Sequence, residues 1–253
     1  RVRWIAALAP LVVLASPAVP YFATSGMETL AFVALVVGAL AAHAHERTGL
    51  TAALLALGIA MRPDFVLTAA VVCAVELLRQ GPTRLRAWVP ALAALAMGIA
   101  ISLFRLAYYG SAVPNTFHAK VGGIPLAMSL GAAAFHLREA PMFVALPALA
   151  LLRRDARSRA PLALCALTLA YVLASGGSAL TFSRFLVPIF PVLAALGARK
   201  AALAVDAREA LAPLWLACLV ASAAAYAAGT AFGVAALLAG LLLLAPPVRD
   251  RAT

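Results

Sequence analysis

The chain has 253 residues, of which 65% are hydrophobic and 11% charged, and its mean hydropathy is +1.02. Because soluble globular domains carry about 25% charged residues, this composition argues against a soluble domain and predicts an all-α, polytopic membrane helix bundle. The formal charge of +11 is typical either of nucleic-acid binding or of basic loops on the cytoplasmic side of a membrane protein.

Ten apolar runs are predicted to cross the membrane, although several are shorter than the roughly 20 residues of an ideal span. In chain order they are residues 4–19, 27–42, 50–61, 65–78, 88–107, 142–152 (after a weaker run at 126–137), 161–174, 185–197, 211–228 and 231–245. The whole chain, residues 1–253, is therefore predicted to be a single transmembrane domain with no separate soluble domain.

The distribution of basic residues predicts the orientation of these spans. If the first span starts in the cytoplasm, only five of the 20 basic residues fall on the opposite side: Arg62, Arg105, Lys120, Arg138 and Arg184. The excess on the cytoplasmic side agrees with the positive-inside rule. It predicts that both ends of the chain are cytoplasmic, and it accounts for the positive charge without nucleic acid as a partner.

The three cysteines, Cys73, Cys165 and Cys218, lie inside predicted spans. Their spacing is that of neither a disulfide framework nor a metal site, so they are predicted to be small lipid-facing or packing residues. No metal-binding residues are predicted.

Candidate functional residues are sought on the outer side, because ionisable groups at membrane depth are usually functional. Glu28 begins the second span, where it either caps the helix or presents a carboxylate to an outer cavity. Asp64 either caps the next helix or pairs with Arg62. The alternative for Arg62 is a basic group that holds a phosphate.

The third outer segment is rich in hydrogen-bonding side chains, which suit a sugar and a phosphate: Tyr108, Tyr109, Asn115, Thr116, His118 and Lys120. An interfacial aromatic belt accounts for the two tyrosines but not for the rest. In the fourth segment, Arg184 follows a glycine-containing loop. Its side chain either reaches the headgroups by extending along the helix or faces a lipid phosphate.

Four short motifs follow each other on the predicted outer side. They are Ser-Gly-Met-Glu-Thr at 25–29, Arg-Pro-Asp at 62–64, Tyr-Tyr-Gly with Pro-Asn-Thr inside 105–120, and Gly-Gly at 176–177 before Arg-Phe-Leu-Val-Pro at 184–188. In this order they resemble the GT-C superfamily of polyprenyl-phosphate-sugar-dependent glycosyltransferases. Within it, the chain is similar to the bacterial terminal arabinofuranosyltransferase-like branch over about residues 20 to 195.

The resemblance implies a GT-C-like bundle in the bacterial cytoplasmic (inner) membrane, with its active face outside the cytoplasm. Such an enzyme passes a sugar from a polyprenyl-phosphate donor to an acceptor hydroxyl of a cell-envelope glycan or glycolipid. Its partners are therefore membrane lipid, the lipid-linked donor and the glycan acceptor. Apart from room for a divalent cation, no cofactor is implied.

The resemblance also assigns residues to roles. The donor phosphate falls to Arg62, Lys120 and Arg184. The sugar or acceptor pocket falls to Glu28, Asp64, Tyr108, Tyr109, Asn115, Thr116 and His118. Within that pocket, the two acids are expected to position groups or to orient the cations.

Two departures from the family pattern limit what is expected of this chain. The family carries its catalytic acid in an Asp-Asp-Ala-Tyr-like stretch of the first outer loop, which is missing here, and residue 1 is Arg. We therefore expect the chain to be the C-terminal portion of a longer GT-C-like domain, with the catalytic residue unknown. In addition, Ser178 stands where relatives have an acid.

Two other functions fit a chain of this kind. One is a transporter or flippase of a lipid-linked substrate, for which internal repeats and broken helices are typical; no repeat is found. The other is a non-catalytic membrane subunit, which accounts for the missing acidic loop.

Overall fold

A computed structural model of the chain describes residues 9–10, 13–14, 18–112, 158–174 and 185–206, with the backbone alone for Leu173 and residues 200–206. This part is almost entirely helical and contains no strand, which confirms the predicted all-α class for the described residues. The α-helices are α1 Ala18–Thr24, α2 Thr29–Ala44, α3 Thr48–Met61, α4 Val66–Gln80, α5 Leu85–Tyr109, α6 Arg159–Ala174 and α7 Phe190–Asp206. Short 3-10 turns, Pro63–Phe65 and Val187–Ile189, precede α4 and α7.

Glycines end two of these helices with backbone angles that other residues rarely adopt. Gly81 follows α4 with φ +83°, and Gly110 follows α5 with φ +71°. Each donates its N–H to the carbonyl four residues back, Leu77 and Leu106 respectively. A glycine in the left-handed region stops a helix at little conformational cost.

From α2 to α5, neighbouring helices along the chain run in opposite directions, so the described part has two distinct ends. At one end, Arg86 Nε donates to Thr48 Oγ1 (3.1 Å) and His43 Nδ1 lies 3.0 Å from Glu76. These contacts join the starts of α3 and α5 and the ends of α2 and α4. We call this the Glu76 end and the opposite one the Arg62 end.

Helices α6 and α7 follow the same arrangement. Arg199 Nη1 of α7 donates to Ser158 Oγ, just before α6, at 3.3 Å. At the other end of α6, the rings of Tyr171 and Phe185 meet edge to face at 6.0 Å. The end of α6 and the turn before α7 therefore lie at the Arg62 end.

A glycine lets the turn after α3 fold back on its own helix. Phe65 is completely buried, and its ring occupies the place where a Cβ on Gly58 would stand. The ring of Phe32, on α2, meets Phe65 edge to face at 5.3 Å. This packing fixes the turn that carries the residues of the candidate site.

Six of the ten predicted spans correspond to described helices, with shifted ends. Residues 20–24, predicted as an outer loop, belong to α1, where Pro20 lies in the first turn and the Thr24 hydroxyl donates back to its carbonyl at 2.9 Å. Helix α7 also continues past the predicted end at residue 197 to Asp206. The predicted spans at 142–152, 211–228 and 231–245 lie outside the described residues, as do the run at 126–137 and most of the predicted span at 4–19.

The ten-span count is not confirmed. Among the described residues one helix, α5, is long and apolar enough to cross a membrane, and it is mostly exposed. Helices α2, α3 and α4 have 16, 14 and 15 residues. At 1.5 Å per residue they are about 21 to 24 Å long, less than the roughly 30 Å of a hydrocarbon core.

Candidate functional site

The turn between α3 and α4 holds an arginine and an aspartate in a two-pronged ion pair. Arg62 leaves α3 in an extended conformation, and Pro63 starts the 3-10 turn that contains Asp64. Arg62 Nε donates to Asp64 Oδ1 at 3.0 Å and Nη2 donates to Oδ2 at 2.5 Å. Bidentate pairs of this kind are strong and fix the plane of the guanidinium.

Glu28, just before α2, completes a triad of charged residues. Its Oε1 lies 3.5 Å from Arg62 Nη1, which is buried and makes no hydrogen bond. The side chains of Arg62 and Asp64 are 12% and 16% exposed, whereas that of Glu28 is 40% exposed. We call these three residues the Arg62 triad; it has one more acid than base.

Aromatic rings enclose the guanidinium of the Arg62 triad. The guanidinium carbon lies 4.6 Å from the centre of the Phe32 ring and 5.8 Å from that of Phe185. These are favourable cation–π distances, and they are worth most where water is excluded. The guanidinium is therefore held by charge on one side and by aromatic faces on the others.

A small cavity adjoins the Arg62 triad between α2, α4, α6 and the turn before α7. Its polar lining comes from Arg62, Asp64, Thr68, Thr168 and Tyr171, and the rest is apolar. The volume that the centre of a water molecule can occupy in this cavity is about 20 Å³, which is room for one water. The cavity is too small for a sugar. Three hydroxyl groups, those of Thr68, Thr168 and Tyr171, line it beside the buried ion pair.

The structure decides between some of the sequence-based alternatives for the Arg62 triad. The predicted pairing of Arg62 with Asp64 is confirmed. Capping is wrong for Asp64, because Phe65 takes the N-cap position of α4. Glu28 does hold the N-cap position of α2, but its side chain makes no capping hydrogen bond. Glu28 instead directs a carboxylate oxygen toward Arg62.

The structure does not bring Tyr108 and Tyr109 to the Arg62 triad. Helices α3 and α5 start side by side, and α5 is 11 residues longer, 25 against 14. At 1.5 Å per residue, its last turn lies about 15 Å beyond the end of α3. Both tyrosines are accordingly exposed, by 72% and 69%. The remaining predicted site residues, Asn115, Thr116, His118, Lys120 and Arg184, lie outside the described residues.

Sequence reasoning missed the role of three aromatic residues at this site. Phe32 and Tyr171 lie within predicted spans, where aromatic residues are common and do not indicate a site. Phe185 follows Arg184 in the motif at 184–188, but the family resemblance assigns it no role. The signal that could have found Tyr171 is its polar tip near the predicted outer end of a span, a place where a hydroxyl needs a partner.

A second buried ionic group lies at the Glu76 end and is not predicted by any sequence motif. The side chain of Glu76 is 3% exposed, and its Oε1 accepts a hydrogen bond from Arg79 Nη2 at 2.9 Å and one from Gln80. Arg79 also pairs with the exposed Glu46. We call His43, Glu46, Glu76, Arg79 and Gln80 the Glu76 cluster.

His43 is the titratable base of the Glu76 cluster and lies just past the predicted span 27–42. Its Nδ1 is 3.0 Å from Glu76 Oε2, an oxygen that accepts no hydrogen bond in this geometry; a proton on Nδ1 would complete that contact. Burial lowers the pKa of His43, while the Glu76 carboxylate opposes the shift. Among the described residues, no group of three His, Cys, Asp or Glu could hold a metal ion.

Comparison with known proteins adds no relative to this picture. No protein-family model matches the chain, no curated protein matches it, and no solved structure matches it.

Proposed function

We propose that the chain is a membrane glycosyltransferase, or a large part of one, that uses a polyprenyl-phosphate sugar donor on the outer face of a bacterial cytoplasmic membrane. The observation that carries the proposal is the Arg62 triad. Two carboxylates, one just before α2 and one in the turn between α3 and α4, meet one guanidinium, and Glu28 remains 40% exposed. Such a group is equipped to bind and orient sugar hydroxyls.

The membrane setting rests on composition and on α5. A helix of 25 residues with Leu92, Leu95 and Leu103 at least half exposed presents a continuous apolar surface, which is costly in water and favourable in lipid. The ten-span arrangement with both ends cytoplasmic belongs to this proposal.

In the proposed reaction, the bond between the anomeric carbon and the donor phosphate oxygen breaks while a bond to the acceptor oxygen forms. The acceptor proton passes to a carboxylate, and the polyprenyl phosphate leaves with the electron pair. Basic side chains stabilise the negative charge that builds on the leaving phosphate.

The geometry favours different partners for the phosphate and for the hydroxyls. Two nitrogens of Arg62 are taken by Asp64, and the Arg62 triad has an excess of negative charge, which repels a phosphate. The proposal therefore gives the phosphate to Lys120 and Arg184. Arg62 then acts by orienting Asp64 and Glu28 toward hydroxyl groups.

The proposal is tested with the full coding sequence that contains this chain, expressed in membranes and incubated with a panel of polyprenyl-phosphate sugars. We expect transfer or donor hydrolysis with at least one donor. Lys120→Ala, Arg184→Ala and Glu28→Gln should each lower the rate by about tenfold or more, since one lost transition-state contact is worth at least that. Glu46→Gln, at the Glu76 end, is the control and should leave the rate unchanged.

The panel separates this proposal from its alternatives. If no donor is transferred or hydrolysed by the unmodified protein, the chain is a non-catalytic subunit or a transporter. If transfer occurs but Lys120→Ala and Arg184→Ala both leave it unchanged, the assignment of the phosphate is wrong.

A further inference from the structure

The turn between α4 and α5 exposes its apolar side chains to an unusual degree. Leu78, in the last turn of α4, is 87% exposed, and Leu85, the first residue of α5, is 79% exposed. These are the two highest exposures among the large hydrophobic side chains of the described residues. In water, leucines this exposed contribute almost no hydrophobic free energy to folding. An apolar partner such as lipid would bury them.

Basic side chains stand next to these leucines. Arg84 and Arg86 flank Leu85, and both are exposed. The hydrogen bond from Arg86 to Thr48 brings the start of α3 to the same place, and with it the exposed Arg47. We call Arg47, Leu78, Arg84, Leu85 and Arg86 the basic corner.

The positive charge of the basic corner is not neutralised within the described part of the chain. No carboxylate there forms an ion pair with Arg47, Arg84 or Arg86, and Glu46 and Glu76 are paired with Arg79. Three exposed arginines and two exposed leucines thus lie in or beside the turn between α4 and α5. Basic groups above an apolar contact are the pattern with which proteins bind anionic membrane surfaces.

A tryptophan fixes the shape of this turn and adds a third sign of a lipid interface. Trp88 Nε1 donates to the carbonyl of Pro82 at 2.8 Å, which ties the first turn of α5 to the preceding loop. The indole is still 39% exposed. Tryptophan is enriched at the level of lipid headgroups, where one side of its ring system is wet and the other apolar.

We propose that the basic corner binds an anionic glycerophospholipid, with the phosphate of its headgroup on Arg47, Arg84 and Arg86 and its acyl chains against Leu78 and Leu85. The inference rests on the membrane setting of the proposed function but not on its chemistry. Sugar transfer and lipid binding are therefore measured separately, and the failure of one leaves the other standing.

Trp88 provides the probe for the test. The full chain with Trp4→Phe and Trp215→Phe leaves Trp88 as the single tryptophan, since the chain has three. The purified protein is placed in bilayers that mix phosphatidylcholine with phosphatidylglycerol, with one of the two lipids brominated. Quenching of Trp88 fluorescence by each brominated lipid gives their relative association constants at the basic corner.

We expect phosphatidylglycerol to be preferred by at least about fivefold, the effect of one arginine at an anionic surface. Arg47→Gln with Arg84→Gln removes two of the three charges and should lower the ratio severalfold, to no more than what Arg86 alone provides. Both side chains can be changed without touching the hydrogen bond between Arg86 and Thr48, so the fold should survive. Arg47→Lys with Arg84→Lys should keep the preference because the charge is kept.

Arg105→Gln is the control, since Arg105 lies near the opposite end of α5 from Leu85. It should leave the preference unchanged. Equal quenching by both lipids, or no quenching by either, overturns the inference. If inorganic phosphate in excess removes the preference, the corner is a site for free anions and the assignment to a lipid is wrong.

Discussion

The Arg62 triad and the Glu76 cluster are two buried ionic groups at opposite ends of the same helices. Each has one more acid than base when His43 is neutral, and each joins α2 to α4 or to the turn before α4. They differ in how far they are closed. Glu76 is 3% exposed and accepts hydrogen bonds from Arg79 and Gln80, whereas Glu28 is 40% exposed.

This difference separates a structural role from a binding role. A buried carboxylate that accepts hydrogen bonds from fixed donors sets the register of the helices it joins. Removing it leaves a buried charge without its partner. A half-exposed carboxylate beside a donor without a hydrogen bond can change partners at little cost. The Glu76 cluster is therefore expected to govern stability, and the Arg62 triad to govern binding.

The largest effect is expected when the closed group is broken. Glu76→Ala removes the acceptor that Arg79 and Gln80 share, and breaking a buried ion pair costs about 3 kcal/mol. The free energy of unfolding in mixed micelles, followed by circular dichroism, measures the loss. Glu46→Ala is the control: its side chain is 72% exposed, and exposed pairs contribute at most about 1 kcal/mol. Equal losses would mean that burial does not distinguish the two acids.

A smaller loss is expected in the Arg62 triad. Asp64→Asn removes the charged, two-pronged partner of a side chain that is 12% exposed, which should lower the free energy of unfolding by about 2 kcal/mol. Glu28→Gln should lower the free energy of unfolding by less than about 1 kcal/mol, because the Glu28 side chain is 40% exposed. The same unfolding assay compares them. A larger loss for Glu28→Gln would show that Glu28, rather than Asp64, holds Arg62 in place.

Hydropathy predicted most of the described fold because apolar runs of 12 to 20 residues leave few alternatives to a helix in lipid. The positions of six helices followed, and so did the pairing of Arg62 with Asp64, which needs only two residues in one turn. The Glu76 cluster could not be predicted, since its two halves meet only through packing: Glu46 and Arg79, for example, are 33 residues apart. Neither could the enclosure of Arg62 by Phe32 and Phe185, which come from different parts of the chain.

The next prediction concerns the packing that holds the Arg62 triad in place. Gly58→Ala puts a methyl group where the Phe65 ring stands, and overpacking of this kind costs about 1 to 2 kcal/mol. The displaced turn should also weaken the pair between Arg62 and Asp64. Gly98→Ala on α5 is the control, because nothing lies within 4 Å of its added Cβ; it should be neutral or slightly stabilising. If both variants behave alike in the unfolding assay, the ring does not depend on Gly58.

The smallest effect is expected from His43 and depends on pH. Because burial lowers the pKa of His43 below its usual 6.5, the unfolded chain binds a proton there before the folded one does. The stability that neutral His43 provides is therefore complete above pH 6.5 and is lost as the pH falls below that value. His43→Gln removes this dependence, so the difference in unfolding free energy between the two proteins should shrink between pH 7.5 and pH 5.5.

Screening by nearby solvent keeps this change below about 1 kcal/mol. His45→Gln, at an exposed position two residues further on, is the control for replacing a histidine at this end of α2. The charged groups around His43 pull in both directions, since Glu76 and Glu46 raise its pKa and Arg79 lowers it. If the advantage of the unmodified protein instead grows as the pH falls, the attraction of Glu76 outweighs burial. His43 would then take up a proton in the folded protein and pair with Glu76 in acid. The charge of the Glu76 cluster would therefore change with pH.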